Sequence, residues 1–166
     1  MKTQLVNIVL AFLSISSLQA QHDTLWSKTY GGQYADGGRA VIEAIDGGYI
    51  IAGYTYSYGY GYADIYLLKT DYDGNVVLTN DFGGANMEYA YDLCHSVEGD
   101  GYIIVGYTTT FGNGSKDFYM IKTDLSGNGE WAKMFGGEGV EIAKSIVSTS
   151  DGNYIICGSR QDSISV

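Results

Sequence analysis

One ten-residue stretch limits what this chain can become. Asp46–Thr55 reads Asp-Gly-Gly-Tyr-Ile-Ile-Ala-Gly-Tyr-Thr. Gly99–Thr108 repeats it as Gly-Asp-Gly-Tyr-Ile-Ile-Val-Gly-Tyr-Thr, and Asp151–Arg160 as Asp-Gly-Asn-Tyr-Ile-Ile-Cys-Gly-Ser-Arg. Tyr49, Tyr102 and Tyr154 fall 53 and then 52 residues apart. A fixed period in this range belongs to repeat architectures, in which each unit is one supersecondary element that buries its apolar face against its neighbours.

The rest of the period follows the same rule. Trp26, Leu78 and Trp131 each stand four residues before an aromatic that precedes Gly-Gly. Each reads as a strand closed by a turn. An acid follows in every copy, Asp36, Glu88 and Glu141, and its expected role is to cap local turn amides. Then come a short apolar strand, an Asp-Gly-type hairpin turn and the Tyr-Ile-Ile strand. The apolar run of that strand is continuous, which predicts neighbours on both faces. A Gly-rich loop leads to Asp64–Asp71, copied at Asp117–Asp124. Strands are therefore predicted near 25–30, 39–45, 49–55, 64–70, 76–82, 91–97, 102–108, 117–123, 129–135, 143–149 and 153–159. Ile50, Ile51, Ile103, Ile104, Ile155, Ile156, Leu67, Met120 and Cys157 are expected in the core.

Four short strands per period of about fifty residues is the pattern of a β-propeller blade. The fold class expected is all-β: a β-propeller of four-stranded antiparallel blades. Blade one is 39–82 and blade two 91–135. A partial blade three is 143–159, and a leading outer strand is 24–30. The motifs Trp-x-Lys-x-Tyr-Gly-Gly, Asp-Gly-Gly-Tyr-Ile and Asp-x-Tyr-Leu-x-Lys-Thr-Asp resemble those of secreted bacterial β-propeller proteins with kelch-like repeats. The resemblance implies further blades, and in many such proteins a sorting tail for type IX secretion. Residues 1–166 hold two full repeats and half of a third, so the chain reads as the N-terminal piece of a longer propeller.

The first twenty residues read as a secretory signal peptide. Lys2 is its positive start, Leu5–Leu18 its apolar stretch, and Ala20 its cleavage residue. This places 21–166 outside the cell or on its surface. That compartment permits a disulfide. The repeat instead sets Cys94 and Cys157 in small or β-branched apolar columns, as buried thiols.

A net charge of −10 with only Arg39 and Arg160 as arginines argues against nucleic acid as a partner. No second apolar run is long enough for a membrane span. His22 and His95 are the only histidines, so no metal or triad constellation can be assembled. Asp71–Asn75 lacks calcium-loop spacing and reads as a turn. A sialidase-like propeller would need an arginine cluster and an Asp where Leu125 stands. No catalytic acid pair departs from the repeat consensus, and no catalytic, metal or cofactor residue is assigned.

The Tyr-rich loop after the first Tyr-Ile-Ile strand is the most distinctive local feature. Tyr54 and Tyr58 have counterparts in Tyr107 and Phe111 and read as framework. Tyr56, Tyr60 and Tyr62 align with Thr109, Asn113 and Ser115 and are surplus. Surplus amphipathic rings on a loop suit stacking on a glycan or a protein partner at the cell surface. The expected function is a non-catalytic binding or scaffold module. The runner-up is the propeller part of a carbohydrate-active hydrolase or lyase.

Overall fold

The computed structural model describes residues 26–162, all β-strand and loop, with no helix among them. The signal-peptide reading of 1–20 falls outside the described residues. Ten strands form three antiparallel sheets in simple chain order. Sheet one holds β1 (Asp36–Glu43), β2 (Tyr49–Thr55), β3 (Asp64–Thr70) and β4 (Val76–Phe82). Sheet two holds β5 (Glu88–His95), β6 (Gly101–Thr108), β7 (Asp117–Asp124) and β8 (Gly129–Phe135). A third sheet pairs β9 (Val140–Ser148) with β10 (Tyr154–Gln161).

The first strand of each sheet begins at its acid or, in β9, one residue before it, three residues earlier than predicted. A bulge extends it. The register skips Arg39, Tyr91 and Lys144, which stand unpaired opposite the second strand. Beside each bulge the backbone of the first strand comes very close to Gly53, Gly106 or Gly158. A Cβ there would overlap the carbonyl oxygen of Gly37, Tyr89 or Ile142. This close approach is why the Tyr-Ile-Ile motif carries its glycine.

Successive sheets meet in one way, used twice. β5 packs across β1, β2 and β3, and β9 packs across β5, β6 and β7. A parallel bridge joins Ala63 to Met87 and another joins Lys116 to Val140. The Glu88 amide donates to Ala63 O at 2.8 Å, and the Glu141 amide donates to Lys116 O at the same distance.

Residues 26–30 form no ladder, contrary to the strand expected there. They hold by side chains instead. Trp26 Nε1 donates to Tyr72 O and Tyr30 OH to Gly74 O, both at 2.7 Å. Asn80 on β4 makes the equivalent bond one repeat later, Nδ2 to Gly127 O at 2.6 Å. The leading segment thus covers the β3–β4 turn as β4 covers the β7–β8 turn.

The core shows why position in the stack outranks motif. Ile50, Leu67, Tyr102 and Ile104 meet between sheets one and two. Ile103, Val105, Met120 and Ile146 meet between sheets two and three. Sheet two has a neighbour on each face, and every residue of β6 is buried. Four expectations fail for the opposite reason. Ile156 on β10 packs against the core between sheets two and three but is only half-buried, since nothing described follows sheet three. Ile155 and Cys157 are exposed, because they face away from sheet two and no described element covers them. Ile51 is only half-buried, because its face looks away from sheet two, towards Trp26 and Tyr30.

Both cysteines are free thiols. Burial, with Asp92 nearby, pushes the Cys94 thiol up to about 11. Thiol reagents should therefore modify Cys157 rapidly at pH 8 and Cys94 only slowly in the folded protein. Ile104→Ala should cost about 2–5 kcal/mol in urea unfolding. The same change at Ile155 should fall within about 0.5 kcal/mol. Equal costs would refute the stacking order.

Candidate functional site

The connections after β2, β4 and β6, together with residues 31–35, lie at one end of the stack. This loop end is built on carboxylates. Glu88 Oε2 accepts the Gly84 amide at 2.8 Å. Glu88 Oε1 accepts Thr108 Oγ1 at 2.7 Å and the Thr110 amide at 3.1 Å. Thr108 Oγ1 in turn accepts the amides of Thr110 and Phe111. Asp36 repeats the device with the Gly32 amide, Thr55 and Ser57. Burial would raise the Asp36 carboxyl, but these bonds outweigh it and hold it below its ordinary range. Glu141 accepts the Gly137 amide at 3.3 Å, and Arg160 replaces the threonine, its Nε 3.5 Å from Glu141 Oε1. The expected capping role of all three acids is therefore present.

The acids at the starts of β3 and β7 sit beside these latches. A Cβ on Gly83 would overlap Asp64 Oδ1 and lie 2.7 Å from Glu88 Oε2. The two carboxylates therefore face one another across that α-carbon. Asp117 and Glu141 meet in the same way at Gly136. The sequence reading found no acid pair, because the partners belong to different repeats and only stacking joins them. Asp64 is 1% exposed and Glu88 fully buried, and Asp64 Oδ1 has no hydrogen-bond partner. Burial first, then the charges of Glu88 and Asp81, push the Asp64 carboxyl up to about 6.

On this base stand the aromatics. Tyr58 stacks on Tyr66, and Phe111 tilts against Tyr119, which is the framework role read from their alignment. Tyr60 and Tyr62 are 83% and 67% exposed, with Tyr34 close behind at 66%. Tyr56 goes elsewhere. Its hydroxyl meets that of Tyr89, and its ring packs edge-on to Tyr54 and Tyr89. The three surplus tyrosines thus divide: Tyr60 and Tyr62 project from the loop, and Tyr56 joins a second group of rings on β2, β5 and β6. Tyr89 and Tyr91 in that group were not singled out from the sequence. Their partners come from a neighbouring sheet, so no local spacing marks them.

Comparison with protein-family models and with curated proteins gave no match.

The Asp64 shift carries a sign. The folded protein holds this proton more tightly than the unfolded chain, so the stability it confers is complete below about pH 4 and is lost as pH rises through 6. The loss is on the order of 3 kcal/mol at about 1.4 kcal/mol per unit. Asp64→Asn removes the repulsion and should melt higher than wild type at pH 8, with the advantage vanishing near pH 4. Melting curves of the two proteins across pH 4–8 check this.

Proposed function

We propose that this chain is a secreted, non-catalytic β-propeller repeat module that binds a glycan or protein at the cell surface through its loop end. The propeller reading is supported by four-stranded antiparallel sheets that meet twice by the same bridges and latches. It is further supported by a leading segment that takes the place of an outer strand against sheet one. In this reading further repeats cover the faces that Ile51 and Ile155 leave open. The kelch-like resemblance and the signal peptide supply the remaining expectations: export, and release from a leader at Ala20.

One observation carries the binding reading. Tyr60 and Tyr62 project into solvent from a loop whose two ends are fixed by the Asp36–Thr55 latch and by Asp64. Rings held on a stiff support lose little freedom on binding, so they suit a contact surface. The carboxylate pair that the fold assembles is sealed from solvent, which favours binding over the carbohydrate-active enzyme. Purified 21–166 applied to a panel of immobilised polysaccharides and glycoproteins tests the proposal. The double variant Tyr60→Ala/Tyr62→Ala should bind at least tenfold more weakly with an unchanged melting temperature. Undiminished binding by the variant would overturn it.

A further inference from the structure

The second group of rings has a chemistry of its own. Tyr54, Tyr89 and Tyr107 form a continuous stack, with ring centroids 4.7 Å and 5.4 Å apart and the last pair nearly parallel. Tyr91 adjoins Tyr107 at 6.2 Å. Three cations lie over these rings. Arg39 Cζ is 5.2 Å from the Tyr54 centroid and 5.9 Å from that of Tyr91. Lys144 Nζ is 3.5 Å from the Tyr91 centroid, and Lys116 Nζ is 4.3 Å from that of Tyr107.

The bulges produce this arrangement. Arg39, Tyr91 and Lys144 are the bulge residues of three successive first strands. The stacking of sheets places them side by side, cation, ring and cation.

The cations are available. Among the described residues Lys69, Lys122 and Arg160 are engaged by carboxylates. Lys28 donates to Asn75, and Lys133 lies over Trp131 on β8. Arg39, Lys116 and Lys144 have no carboxylate partner among the described residues. The acids nearest the stack are occupied: Asp36 and Glu88 by their latches, and Asp92 by the Ser145 hydroxyl and the Ile146 amide. A chain of net charge −10 thus gathers three of the five carboxylate-free cations among its described residues around a group of tyrosines, of which Tyr54, Tyr89 and Tyr91 are half-buried and Tyr107 is buried.

We infer that this group binds an anionic saccharide, with its carboxylate or sulfate groups on Arg39, Lys116 and Lys144 and the sugar against the open edges of the half-buried Tyr54, Tyr89 and Tyr91. Aromatic rings give amphipathic contact area to a pyranose, and cations without a carboxylate partner take the charge. The inference rests on the binding reading above and names its ligand class.

Three hexasaccharides probe it by titration calorimetry with 21–166: an alginate (uronate), a sulfated galactan and a neutral galactan. At least one anionic sugar should bind at least tenfold more tightly than the neutral one and weaken as salt rises. The two anionic arms separate carboxylate from sulfate recognition. Arg39→Gln/Lys144→Gln should lose at least tenfold toward the anionic sugar. Lys133→Gln, which changes charge at a distance, should change nothing. Equal affinity for the neutral sugar would overturn the anionic inference and leave the binding reading standing. Equal loss in Lys133→Gln would reduce it to net charge and overturn it as well. Failure of all three sugars overturns it too, while the wider panel and the Tyr60/Tyr62 variant decide the binding reading separately.

Discussion

A single carboxylate at each sheet junction organises this molecule. Glu88 is fully buried and accepts bonds from three places: the Gly84 amide at the end of the preceding sheet, the Thr108 hydroxyl on its own second strand, and the Thr110 amide in the loop beyond. It therefore ties the chain reversal between sheets to the loop that starts the third strand. The glycine pair before it leaves room for the approach, and the threonine hydroxyl passes the order on to two further amides. Hydrogen bonds to an ionised acceptor are stronger than neutral ones, and a buried carboxylate must have them. Asp36 repeats the scheme, and Glu141 repeats it with a guanidinium in place of a hydroxyl. Without these contacts the loop end would have no fixed shape, and its tyrosines no fixed positions.

What the sequence reveals is local order, and it does so well. β2, β3, β4 and β8 occupy the predicted ranges, because turn glycines and Asx residues set both ends. Asp71 and Asp124 show why: each accepts the amide and side chain of the Asn four residues on, which makes the Asp-x-x-Gly-Asn segment a turn and not a cation loop. What the sequence hides is the consequence of stacking. Ile50, Ile103 and Ile155 stand in one column, yet the first two are buried and the third is exposed. The motif is the same, and only the presence of a following sheet differs. Cys157 follows the same logic. The Asp64–Glu88 pair and the Arg39–Tyr91–Lys144 row are also products of stacking, since their members lie far apart in the chain. The bulge that frees Arg39, Tyr91 and Lys144 leaves no mark on the sequence beyond a glycine on the opposite strand.

The Tyr-rich loop and the Arg39–Tyr91–Lys144 row are linked. Tyr56 connects them, because it leaves the Tyr-rich loop yet packs with Tyr54 and Tyr89. The surplus tyrosines of the first repeat therefore act in two ways, as free rings and as an extension of a charged aromatic row. Both depend on the latch beneath, which keeps the backbone from Thr55 to Tyr58 in place.

The most direct test of this account is amide hydrogen exchange, read by NMR, in wild type and Glu88→Ala. If the carboxylate organises the junction, the Gly84 and Thr110 amides are protected in wild type and exchange at least tenfold faster in the variant. Amides in the β1–β2 ladder of sheet one should be much less affected. Unchanged protection at Gly84 and Thr110 in the variant would contradict the account.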